Sequence, residues 1–104
     1  MASIRELTGV NEQGVDEQIS YSVTSTPWGS SPSSISCKVY DITDGAYTDV
    51  TSTVMPTNSP AAVGDVITLS PLKSLTAGKV YRVEVKFTAG GNVYECYKIL
   101  VATQ

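Results

Sequence analysis

In the stretch Leu75-Thr-Ala-Gly78-Lys-Val-Tyr81-Arg-Val83-Glu-Val85-Lys-Phe87-Thr88, Tyr81, Val83, Val85 and Phe87 alternate with Arg82, Glu84 and Lys86. Successive side chains of a strand point to opposite faces, so this segment predicts a strand with one face on a core and the other in water. Directly after it, Ala89-Gly-Gly-Asn92 is a tight hairpin link, and Val93–Ala102 returns as the closing strand. Tyr97, Ile99 and Val101 are expected to point inward there, with a bulge near Cys96 to reconcile the parity.

Upstream, turn-rich segments separate further short strands. Val66–Ser70 places Ile67 and Leu69 in one, preceded by a connection punctuated by Pro56, Asn58, Pro60 and Gly64. Thr48–Val54 reads as a short, weak strand, and Asp44-Gly45 before it as a turn. Ile35–Ile42 alternates Ile35, Cys37 and Val39 against Ser36, Lys38 and Tyr40. Two prolines, a glycine and several serines make Ser25–Ser34 a loop, and Glu17–Thr24 before it sets Ile19, Tyr21 and Val23 against Gln18, Ser20, Ser22 and Thr24. Residues 1–16, with scattered apolar positions, read as an N-terminal arm or short edge strand ahead of one β domain over 17–104. About seven strands and no helical repeat of apolar residues predict an all-β, two-sheet Greek-key sandwich.

Composition agrees. Val, Ile and Thr number 31 of 104 residues against 5 Leu, a balance that favours pleated strands. The length suits one domain of ordinary size, roughly 100–150 residues. A net charge of −3 argues against nucleic-acid and anionic-membrane partners. That charge is uneven: residues 1–65 carry a net −6 and residues 66–104 a net +3. The N-terminus lacks the apolar core of a secretion signal, Met1 argues against a cleaved leader, and no stretch approaches the ~18 apolar residues of a membrane span.

Chemistry is scarce. The chain has no His, which removes the usual Ser-His-Asp and Cys-His nucleophile arrangements and histidine-containing zinc fingers. No enzymatic activity and no cofactor are expected. Asp41, Asp44 and Asp49 lack the dense ligand spacing of a calcium loop and read as a turn. Gly90-Gly91 has no helix after it to receive a phosphate and reads as a hairpin. Cys37 and Cys96 fall on strands expected to flank a third, roughly 10 Å apart. A disulfide needs Cα atoms within ~7 Å, so two free, buried thiols are expected. Trp28 either plugs one end of the sandwich or anchors a protein interface, with Tyr40, Tyr47 and Tyr94 as supplementary surface; Tyr40 and Tyr94 are expected on outward faces.

The Leu75, Gly78 and Tyr81 spacing resembles the tyrosine corner of immunoglobulin-like and fibronectin type III domains, in which the ring fills the edge of the core and the hydroxyl bonds to backbone upstream. It departs from antibody domains in having no tryptophan on the third strand and in its cysteine positions. Over residues 17–104, Ile19-Ser-Tyr-Ser-Val, Thr26-Pro-Trp-Gly29, Val39-Tyr-Asp41, Asp49-Val-Thr51, Gly64-Asp-Val-Ile67 and Leu75–Val85 together resemble small immunoglobulin-like virion structural or accessory proteins of tailed bacteriophages and prophages. The resemblance implies a non-enzymatic part of a virion (capsid decoration, head–tail junction or tail-associated) that contacts other capsid or tail subunits, with threefold or sixfold clustering where the lattice imposes it. A carbohydrate or host-surface binding module, adhesin-like and using Trp28 or Tyr47, is the alternative expectation; a spacer from a multidomain surface protein is the third.

Overall fold

The computed structural model describes the backbone of residues 4–26 and 28–103, and the side chains of 12–26 and 28–103. In chain order the elements are β1 (Ile4–Gly14), β2 (Ser22–Thr24), β3 (Ser33–Asp41), β4 (Thr48–Asp49), α1 (Thr51–Val54), β5 (Ala61–Val63), β6 (Val66–Thr68), β7 (Val80–Ala89) and β8 (Asn92–Thr103). They form a five-stranded sheet, β1-β8-β7-β3-β4, and a three-stranded sheet, β2-β6-β5. The fold is thus an all-β, two-layer sandwich with a single helical turn among the described residues. Every pairing is antiparallel except β1 with β8, which is parallel.

β7 behaves as its alternation predicts. Tyr81, Val83, Val85 and Phe87 are buried, and they meet Val39 and Leu100 of their own sheet and Val23 and Ile67 of the other. Leu69, Leu72, Leu75, Val54 and Met55 complete the core. Burying one large apolar side chain of this kind contributes roughly 1.5–3 kcal/mol. The β7–β8 hairpin turns at Gly90 and Gly91, whose φ angles of 58° and 82° suit the left-handed positions of a two-residue turn.

That hairpin corrects the expectation for the last strand. Its register runs unbroken from Val80 opposite Val101 to Ala89 opposite Asn92, so no bulge intervenes. Directly opposed residues share a face. Tyr94, Cys96, Lys98 and Leu100, opposite Phe87, Val85, Val83 and Tyr81, therefore face inward. Tyr97, Ile99 and Val101 face outward, as does Val93.

Other boundaries move for local reasons. The segment Glu17–Thr24 keeps its alternation, yet only Ser22–Thr24 is regular strand, with Ile19 joined to Leu72 by an isolated bridge. Pairing is interrupted opposite Pro71, which has no N–H to donate. The strand expected over Thr48–Val54 stops at Asp49. Its carboxylate accepts the Thr51 N–H at 3.0 Å and hydroxyl at 2.7 Å, which turns the chain into α1. Ala61–Val63, expected as connection, pairs with β6 and brings the strand count to eight among the described residues.

The N-terminal segment is a long edge strand, 11 residues from Ile4 to Gly14, with a register shift between Glu6 and Val10. Gln13 anchors its end. Fully buried, its amide donates to the carbonyls of Leu72 (2.7 Å) and Glu17 (3.0 Å), and its oxygen accepts the Tyr21 hydroxyl at 2.8 Å. On the opposite edge β4 covers only the end of β3. Beyond it the Thr51 hydroxyl accepts the Val39 N–H and the Asn58 amide donates to the Cys37 carbonyl, which engages groups that another strand would otherwise pair with.

Cys37 and Cys96 both lie opposite Val85, one on each side of β7. Both are buried, and they form no disulfide with each other, as their separation predicts. Burial, and secondarily the neighbouring Cys96, pushes the Cys37 thiol up to about 12, so it stays protonated and a poor nucleophile at neutral pH.

Candidate interaction site

Three connections meet at one end of the sandwich: the β2–β3 loop, the β5–β6 turn and the β7–β8 turn. Asp65 ties the first two together. Its carbonyl accepts the Ser25 N–H at 2.8 Å, and its carboxylate accepts the Thr26 hydroxyl and the Ser31 N–H at 2.9 and 3.1 Å. The third is held by packing. A methyl group on Gly29 would meet the Ala89 Cβ at 2.9 Å, so the loop backbone lies directly against the end of β7. The Trp28 ring sits 5.9 Å from Phe87, and Phe87 5.8 Å from Tyr94, a chain of three rings that closes this end.

Exposed valines flank two of these turns, on the outer faces of the two sheets. Val63 is 83% exposed, Val93 61% and Val66 41%. Val63 and Val66 oppose each other across the Gly64-Asp65 turn, and Val93 stands beside the Gly90-Gly91 turn. The sequence does not single these valines out, because each looks like an ordinary strand residue. Their signal is a β-branched apolar side chain at the outward position next to a turn.

The opposite end is built from polar bonds. Asp41 accepts the Thr43 hydroxyl at 2.6 Å, the Thr43 N–H at 3.0 Å and the Lys79 ammonium at 3.0 Å. The Thr43 bonds first, and the Lys79 charge after them, hold the Asp41 carboxyl at about 2, below its ordinary value. Asp41 in turn raises Lys79. The same Thr43 hydroxyl accepts the Val80 N–H at 3.0 Å. Beside it the buried Tyr81 hydroxyl accepts the Thr76 N–H, five residues upstream, at 2.9 Å. Leu75 is buried, and Gly78 turns the chain at φ 84° while donating to the Ala102 carbonyl.

A third feature lies on the outer face of the five-stranded sheet. The Arg82 guanidinium stands 3.8 Å over the Tyr97 ring and 5.4 Å from that of Tyr47, donates to the Tyr47 hydroxyl at 3.0 Å and pairs with Glu84 at 2.7 Å. Tyr40 packs on Tyr47 with ring centroids 5.8 Å apart. Next to this group is a cleft of about 250 Å³ lined by Ser36, Lys38, Tyr40, Glu84, Val85, Lys86 and Glu95.

The four aromatic residues expected at a surface therefore divide. Tyr40 and Tyr47 pair on the outer sheet face, Tyr47 56% exposed. Trp28 is half-buried against Phe87, the plugging arrangement. Tyr94, expected outward, packs inward on Phe87 because the unbroken hairpin register fixes its parity. The carboxylates of Asp41 and Asp49 are engaged by Thr43 and Thr51, and among the described residues no group of three or more His, Cys, Asp or Glu is placed to hold a metal ion. No helix among them is long and apolar enough to cross a membrane. Comparison with protein-family models, with curated proteins and with solved structures gives no match to this chain.

Proposed function

We propose that this chain is an immunoglobulin-like Greek-key domain that acts without catalysis, as a structural or accessory protein of a tailed-phage virion, by docking its Trp28 end onto other capsid or tail subunits. The immunoglobulin-like reading is supported by the strand order, with an N-terminal strand parallel to the last one, and by the Tyr81 hydroxyl bonded to backbone upstream. The virion assignment rests on the sequence motifs that resemble those small phage proteins. The docking end rests on one observation: exposed Val63 and Val66 flank the β5–β6 turn and exposed Val93 the β7–β8 turn, beside loops held in place by Asp65 and the Trp28–Phe87–Tyr94 rings.

Exposed apolar side chains on a rigid rim suit a contact that forms without reordering the loops. Repetition on a lattice multiplies weak single contacts into stable attachment. Mass spectrometry of purified particles from the phage or prophage that encodes the chain is expected to find it at a stoichiometric level. A doubly substituted Val63→Lys, Val93→Lys chain, folded by circular dichroism, is expected to be lost from those particles. Absence of the unsubstituted chain from particles sinks the virion assignment; normal incorporation of the double variant sinks the docking end.

A further inference from the structure

The outer-face cleft is chemically unlike the docking end and goes beyond that reading without depending on it. Across the five-stranded sheet the residues form rows: Ser36–Lys86–Glu95, then Lys38–Glu84–Tyr97, then Tyr40–Arg82–Ile99. The cleft occupies the first two rows over Val85, with Tyr40 as a wall. Two cations and two anions thus face one space. Lys86 lies directly opposite Glu95, the placement that ordinarily gives a cross-strand ion pair, yet the two form none. Lys38, opposite Glu84, forms none either, because the Glu84 carboxylate is turned to Arg82, which Tyr97 holds from below. The side chains of Lys38, Lys86 and Glu95 make no hydrogen bond among the described residues.

We infer that this cleft is a binding site for a neutral sugar ring. An anion would meet the Glu95 carboxylate, and a cation would meet Lys38 and Lys86. A wholly apolar ligand would strip water from all four charges without replacing its bonds. A free amino acid pairs with one lysine and Glu95 and leaves the other lysine without a partner. A pyranose presents hydroxyls around its whole rim, each both donor and acceptor, so it can receive bonds from the lysines and Ser36 while donating to the two carboxylates. Its C–H face lies against an aromatic wall, which Tyr40 supplies, braced from behind by Tyr47. The volume is just below the small-ligand range, which starts near ~300 Å³, and so matches one ring, not an extended chain.

The test is an amide NMR titration of the whole chain with maltose, cellobiose, lactose and, separately, glycine. At least one of the neutral disaccharides is expected to shift the amides of Lys38, Glu84, Val85 and Lys86, with an affinity unchanged by added salt. Tyr40→Ala and Glu95→Gln, each checked for an intact amide spectrum, are expected to weaken that affinity about tenfold, the scale of one charge-assisted bond or aromatic contact. No shift with any of the three sugars, stronger shifts with glycine, shifts confined to the loops around Trp28, or unchanged affinity in both variants would each overturn the inference.

Discussion

At the Trp28 end three loops converge on a chain of tilted rings, and exposed valines flank two of the turns. At the Tyr81 end two connections converge on Asp41, and the contacts are hydroxyl, amide and ammonium bonds. Both ends close the same sandwich, but one leaves valine side chains exposed and the other turns its polar groups onto each other. Loop fixation and surface chemistry are therefore separable: an end can be held in place and still expose apolar side chains when buried rings, not surface residues, carry the closure.

The most severe way to break that contrast is Phe87→Ala. Phe87 is fully buried and is the middle ring of the three, so its truncation removes core packing and leaves Trp28 and Tyr94 without a shared partner. Losses of about 3–5 kcal/mol accompany such changes, a large share of the ~5–15 kcal/mol that stabilises an ordinary domain. Urea unfolding is expected to report a loss of that size, together with red-shifted Trp28 fluorescence. A loss below ~1 kcal/mol would mean that Asp65, not the rings, holds this end.

Tyr81→Phe probes the other end with one atom. The ring stays in the core and only the bond from the Thr76 N–H is lost. A net hydrogen bond contributes about 1 kcal/mol and an orphaned donor costs ~1–3, so a loss of about 1–2 kcal/mol in urea is expected. No measurable loss would reduce the tyrosine hydroxyl to an incidental contact, and the end would depend on Asp41 alone.

How much of this was legible in the sequence differs between the two ends for a physical reason. The Tyr81 end is encoded locally: Leu75, Gly78 and Tyr81 lie within seven residues, and Asp41 reaches Thr43 two positions on. The Trp28 end is assembled from residues 25–31, 63–66 and 87–94, whose proximity depends on sheet pairing. Strand existence was readable from alternation, as in β7 and β3. The facing of β8 was not, since both parities carry apolar residues, Tyr94, Leu100 and Ala102 on one and Tyr97, Ile99 and Val101 on the other. Only the two-residue hairpin turn decides between them. Gln13 was equally hidden, because a polar residue at the end of an edge strand gives no sign of the buried carbonyls of Leu72 and Glu17 that it serves.

Acid distinguishes the ends more gently. The folded Asp41 carboxyl titrates at about 2, below its ordinary 3.8, so its bonds stabilise the fold fully above the ordinary value and lose that contribution as pH falls from about 4 to about 2. Amide exchange compared at the top and bottom of this window is expected to show protection falling first at Ile42 and Val80. The Thr43 hydroxyl bond is the largest single cause of the shift, and the Lys79 hydrogen bond and charge each rank below it. Thr43→Val, which keeps the backbone N–H, is therefore expected to raise the Asp41 titration further than Lys79→Met does, as followed by carboxyl carbon NMR. The reverse order would make the ammonium, not the hydroxyl, the keeper of this end. The site would then be an ion pair sensitive to salt, where a hydroxyl-held carboxylate is not.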